Sequence, residues 1–326
     1  MRRTLVILLL LSPIPLFLIA LFLGSYQVPA YDVLKALFGG ASQTDRLVVV
    51  DVRLPRVVLA LLVGAALSAS GASLQAVCRN PLVSPYILGL SSGAAFGAAL
   101  SMTLLPAAFP LQLSAFLFGL LAVAVAYSIA RTGDETPTVS LVLAGVITAA
   151  LFSALLSILQ FLTDPHRLSA VVFWLMGSFG RSDWASVKAV VVPIVGALVA
   201  MLLMRWRLNV LSLGAVEAKS VGMDVEANRG AFIVASTLAS ASAISVCGIV
   251  GWVGLMVPHI VRMLVGPDHK VLLPLCITFG AAFMLAVDTI ARCITDYDLP
   301  VGIISTLAGV PFFAYLLKKT RGGGWR

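Results

Sequence analysis

Charge is scarce in this chain. Only 22 Lys/Arg and 14 Asp/Glu are spread over 326 residues, 11% in all, against about one quarter in soluble domains. A soluble globular domain is thereby excluded, and a mean hydropathy of +1.05 with 60% hydrophobic residues makes this an integral membrane protein. The alternating pattern of β-barrel strands is missing too. What recurs instead is charge-free stretches of about 20 residues, the length a helix needs to cross the hydrocarbon core. Four cysteines (Cys78, Cys247, Cys276, Cys293) show no metal-ligand spacing and sit mostly in apolar runs, where cysteines usually just pack.

Chemistry is equally absent. No G-x-x-x-x-G-K-[ST], H-E-x-x-H or G-x-S-x-G occurs, so phosphate-loop, zinc-protease and nucleophile-elbow chemistry have no seat. No catalytic residue, metal site or cofactor is expected. Ion-driven carriers keep carboxylates or histidines near the membrane midplane, yet residues 137–163 and 230–258 contain none. An ion-coupled carrier or an intramembrane enzyme is therefore disfavoured. Asp288 and Arg292 are the one clear intramembrane pair, four apart on one helix, so mutual pairing is the role expected for the aspartate.

What is present is an all-α membrane protein of about ten transmembrane helices. Apolar runs and breakers place them at 4–23, 57–78, 85–105, 110–130, 138–162, 187–204, 230–248, 252–265, 271–291 and 301–317. The first run exceeds the ~7–15 residues of a secretion signal and no small-x-small site follows it, so it reads as a retained helix. The glycines of "GIVGWVG" mark a tight turn between spans seven and eight. Gly89, Gly93 and Gly97 in "GLSSGAAFG" have the small-xxx-small spacing of close helix crossings. With both termini cytoplasmic, the inner segments hold fourteen Lys/Arg against six acids and the outer segments eight of each. Positive residues concentrate inside, so this orientation is expected, and the net +8 is a topology signal that needs no nucleic-acid partner.

Two polar features ask for partners. "RWRLNVLSLGAVEAKSVGMDVEANRG", Arg205–Gly230, exceeds what a helix connection needs; it reads as two short helices divided by Gly222, with Asp224 as a cap, forming a docking surface rather than a solvated loop. "DVRLPR", 51–56, sets Arg53 and Arg56 on the outer side around Pro55, against the general charge trend. Snorkelling anchors are one reading. A foothold for an acidic partner is the other, because positive charge at a helix N-terminus opposes the macrodipole and nothing nearby except Asp51 offsets it.

Several strings, in order, resemble the FecCD-type permeases of ABC importers, which include cobalamin, ferric-siderophore and haem permeases. They are "RLPRVVLALLVGAALSASGASLQAVCRNPLVSPYILGLSSGAAFG" (53–97), "LVLAGV" (141–146), "LGAVEAKSVGM" (213–223), "GWVGLMVPHIVR" (251–262), "DHKVLLP" (268–274) and "DLPVGIISTLAGVPFF" (298–313), and they span essentially the whole chain. The resemblance implies a single permease domain, 1–326, of type II ABC importer fold in a bacterial or archaeal plasma (inner) membrane. It implies a homodimer with a path along the dimer axis, two cytoplasmic ABC ATPase subunits, and a periplasmic or lipid-anchored binding protein. It assigns ATPase coupling to the loop at about 207–229 (Leu213, Gly214, Ala215, Glu217, Ala218, Gly222, Met223). It assigns the cytoplasmic gate to Asn80, Leu82 and Thr138, with Val139 where the family has a second hydroxyl. Arg53, Arg56 and, with a one-residue gap, Arg292 match the family's docking arginines. The expected cargo is an iron chelate, then corrinoid or haem, with an oxyanion such as molybdate behind; His166, His259 and His269 form no haem-ligand cluster. A secondary carrier or channel free of any ATPase is the alternative.

Overall fold

The computed structural model describes residues 2–24, 26–106, 109–133, 135–295 and 297–319. Asp134, Asp296, Arg321 and Arg326, counted above with the loop charges, lie outside them. Helices make up the fold: α1 (Arg2–Leu11), α2 (Pro13–Phe22), α3 (Ala30–Phe38), α4 (Gln43–Arg46), α5 (Leu54–Val77), α6 (Leu90–Thr103), α7 (Leu111–Ala130), α8 (Thr138–Leu162), α9 (Pro165–Leu175), α10 (Trp184–Leu213), α11 (Ala215–Ser220), α12 (Val225–Cys247), α13 (Val253–Val265), α14 (His269–Cys293) and α15 (Val301–Lys319). Ten apolar helical units coincide with the ten expected spans. Among the described residues seven are long and apolar enough to cross a bilayer, counting Thr4–Phe22 and Gln43–Val77 as continuous units, while α6, α13 and the stretch Val301–Leu316 of α15 are shorter.

Boundaries differ where backbone physics intervenes. The second span begins at Gln43, well before residue 57, because α4 continues through a π-helical stretch, Leu47–Arg53, into α5. Pro55 has no N–H for the Asp51 carbonyl and its ring crowds it, and wide i→i+5 bonds, such as Leu54 N–H to Val49 O, carry the chain past. The sixth span runs to Leu213, so Arg205 and Arg207 are helical and the long polar loop contracts to 214–224 around α11. α3 and α9 were not anticipated as helices. Asp164 starts α9, its carboxylate accepting from the amides of His166 and Arg167.

α5 is the axle. Of its apolar window 83% is buried, against 28% for α8. A Cβ on Gly64 would strike the Gly280 carbonyl of α14, and one on Gly71 the Gly254 carbonyl of α13. Backbone-to-backbone approach of this kind is how helices bind where hydrocarbon supplies no hydrophobic drive. Ser68 adds hydrogen bonds to Gly64 O (2.7 Å) and Cys276 O (2.6 Å). The small-residue motif works likewise: Gly93 and Gly97 lie against the Phe118 and Ser114 carbonyls of α7.

Two non-helical stretches sit among the helices. Pro85–Leu88 is a single 3₁₀ turn, and 248–252 is the expected turn, with Gly248 at φ +73° and Trp252 at +70°. Unpaired backbone is intolerable at membrane depth, and here the stretches are bound inside the protein: Tyr86 Oη donates to Val250 O at 2.5 Å, and Ser178 N to Cys247 O at 2.8 Å.

Candidate functional site

At one end of the helix bundle the three docking candidates converge, and their side chains turn into the protein. Arg53, Arg56 and Arg292 are only 4%, 8% and 6% exposed. Arg53 donates to the carbonyls of Leu21 (2.8 Å), Phe22 and Tyr26, and Arg292 Nη2 to Ala20 O (2.7 Å). Ala20, Leu21 and Phe22 are the last residues of α2, whose free carbonyls are the negative end of its dipole. Arg56 Nε and Nη2 both reach Asp288 Oδ1 at 2.9 Å, and Nη1 reaches Asp298 Oδ2 at 2.6 Å. Asp288, fully buried, also meets Arg292 Nε at 3.3 Å. Two premises of the sequence reading are thus corrected. Arg53 and Arg56 are buried rather than set out as a free foothold, and positive charge at the start of α5 answers groups within the chain besides Asp51, the α2 carbonyls and two aspartates. Asp288 pairs with Arg292 as expected, but Arg56 holds it at shorter range. Asp298, missed in the sequence although it opens "DLPVG", is the one member with an exposed side chain, 41%.

At the opposite end the connection 214–224 projects as α11. Leu213, Val216 and Val221 are exposed aliphatics among Glu217, Lys219 and Ser220, whereas Ala218 is buried and Met223 half-buried against the body. Gly222 holds φ +78° with open space around its α-carbon. Asp224 caps α12 by accepting from Ala227 N at 3.0 Å. Val216 and Val221 lie inside the "LGAVEAKSVGM" string without being singled out in it, and they are among its most exposed apolar side chains. Lys219 Nζ lies 2.7 Å from Glu135 Oε1, and this hydrogen bond holds the Glu135 carboxyl below and the Lys219 ammonium above their ordinary ranges.

The gate candidates occupy the same end. Asn80 and Leu82 form an exposed turn after α5, closed by Leu82 N donating to Asn80 Oδ1 at 2.9 Å, with Arg79 at φ +50°. Thr138 is the first residue of α8, half-buried, and Val139 beside it is exposed. No hydrogen bond joins the turn to Thr138 among the described residues. The histidines stay apart: His259 packs on Phe312 and Phe313, His269 Nδ1 lies 2.9 Å from Asn209 Oδ1, and His166 is exposed.

The profile of the FecCD transport family matches residues 8–319. The chain belongs to that family. Among FecCD relatives, the molybdate import system permease protein MolB of Haemophilus influenzae is 38% identical over 94% of this chain and 93% of its own length. The cobalamin import system permease protein BtuC of Halobacterium salinarum is 42% identical over 90% of this chain and 80% of its own. A solved structure described as an inward-facing conformation of an ABC transporter of metal-chelate type superposes with a TM-score of 0.87, at 37% identity, covering 97% of this chain and 99% of the other. The all-helical fold is therefore that of an ABC transporter permease, and FecCD members of this kind are transport subunits of multi-span membrane systems.

Proposed function

We propose that the chain is the membrane-spanning subunit of an ATP-driven importer. In this reading it works as a homodimer in the plasma (inner) membrane, termini cytoplasmic, with two ABC ATPase subunits inside and a binding protein outside. The observation that carries it is the aliphatic knob of Leu213, Val216 and Val221, held at the end of a 30-residue helix and ringed by charge. Exposed apolar clusters with a polar rim mark protein interfaces, and a chain with no phosphate loop needs a partner to hydrolyse ATP. Gly222→Trp tests it. The open space at Gly222 sends the indole outward, toward a docked ATPase, while the left-handed backbone adds only about 1 kcal/mol of strain. In proteoliposomes with ATPase and binding protein, transport should collapse while the dimer stays folded and ATP is still hydrolysed; full transport overturns the assignment. An ATPase that never co-purifies with the wild-type chain would favour the carrier or channel reading instead.

Asn80, Leu82 and Thr138 are assigned to the inner gate, each facing its symmetry mate across the dimer axis. At the outer face, docking at Arg53, Arg56 and Arg292 is assigned as an exchange, in which a carboxylate of the binding protein takes the place of Asp298 on Arg56.

The cargo is proposed to be a metal complex delivered by that binding protein. The reading rests on the metal-chelate type of the superposed transporter and on α8, whose exposed side carries Leu143, Ile147 and Leu151 and no charge, a wall that binds a bulky chelate weakly. Molybdate is the second reading, favoured by the 38% identity to MolB. Uptake of an iron chelate against uptake of molybdate in the reconstituted system decides between them.

A further inference from the structure

The ATPase-facing loop and the segment leading into α8 are bolted together at two points. Lys219, on α11, meets Glu135 at 2.7 Å. One residue further on, the Thr136 carbonyl accepts Arg229 Nη1 at 2.6 Å; Arg229 stands in α12 just after the loop and is braced by Glu226 at 2.6 Å. Glu135 is itself fixed, because its backbone closes a turn with Thr132 through two hydrogen bonds (2.9 and 3.3 Å). Pro137 then enters α8 with its φ locked and no side-chain cap, so Thr138 follows Thr136 with little slack. The middle of the 214–224 connection and the second turn of α12 therefore grip residues 135 and 136.

We propose that Lys219 and Arg229 are positioning residues that carry movement of α11 to the inner end of α8, and so to Thr138. The inference rests on the coupling role given to α11 above. Its physical content is a contrast of rigidity. α5 is held by backbone-to-backbone crossings at both Gly64 and Gly71, whereas α8 has one such approach, Gly145 to the Ile87 carbonyl, and most of its apolar length is unburied within the single chain. A push at α11 reaches residues 135 and 136 through the two bolts, and so the inner end of α8. Discrete two-state elements biased at both ends transmit coupling in this way.

The experiment uses the complete complex of permease, ATPase and binding protein in proteoliposomes. It reads cargo transported per ATP hydrolysed for Glu135→Lys, Lys219→Glu and the double exchange. Each single variant should lower that ratio by about fivefold or more, the low end of linked-site effects, and the double exchange should restore most of it. Glu135→Gln, which keeps shape and removes charge, should fall between the single variants and the wild type. An unchanged ratio in both single variants, or a double exchange no better than the singles, overturns the bolt. ATPase co-purification, measured on the same samples, separates this from a failure of the import reading. A wild-type chain that binds no ATPase overturns both proposals, whereas retained binding with an unaltered ratio overturns only this one.

Discussion

Arg56 shows how a residue's neighbours rewrite its role. On spacing alone it is an outward charge beside Arg53; in the fold it neutralises Asp288, which is wholly buried. Removing one partner of a buried pair leaves an uncompensated charge, so Arg56→Ala should lower stability by about 3–5 kcal/mol, read as loss of monodisperse protein on heating in detergent. Asp298→Asn, at the exposed end of the same network, should cost about 0–1 kcal/mol. If the two variants unfold alike, Arg56 does not hold the outer end together. The Lys219–Glu135 bond makes a pH prediction. Groups facing it are Glu226, which supports the ammonium, and Arg229, which opposes it while stabilising the Glu135 carboxylate. Glu135 titrates lower when folded, so its contribution is complete above the ordinary carboxylate range and disappears as pH falls through the lowered value. Lys219 titrates higher, so its contribution is complete below the ordinary lysine range and disappears as pH rises through the raised value. The difference in thermal stability between the wild type and Glu135→Gln, read in detergent, should therefore stay flat across neutral pH and shrink at the acid extreme and at high salt.

Among elements, α5 and α10 make opposite uses of glycine. Gly71→Ala drives a methyl into the Gly254 carbonyl and should destabilise by about 1–3 kcal/mol, whereas Gly196→Ala on α10 meets nothing within 4 Å and should be neutral or gain up to about 1 kcal/mol from helix propensity. Equal thermal shifts in the two variants would mean that the α5–α13 crossing is looser than its backbone contact implies. Element identity was largely legible, because in a bilayer a long charge-free run has no stable state but a helix. Element ends were not. The π-helical stretch before Pro55 and the continuation of α10 to Leu213 depend on what packs beside them, and α3 and α9 are too short for periodicity to declare.

For the whole molecule, the prediction concerns assembly. Single cysteines at Leu82 or Thr138 should cross-link to their symmetry mates without ATP. Cys78 is buried and Cys293 is exposed, so Cys293 is the native thiol to replace first. No cross-link at either position in any nucleotide state places the path elsewhere.

The sequence by itself determined the class of protein, its apolar helical units and the family, since composition, charge-free length and ordered motifs are local properties that a bilayer reads directly. Only the tertiary structure decided what the charged residues do. Arg53 finds carbonyls some thirty residues before it, Arg56 finds aspartates more than two hundred residues after it, and Lys219 and Arg229 find a segment that precedes α8. An arginine three residues from another shares its helix face wherever it occurs. Whether that face meets water, lipid or a buried carboxylate is settled by which helices the packing brings alongside, and close approach at Gly64, Gly71, Gly254 and Gly280 sets that packing.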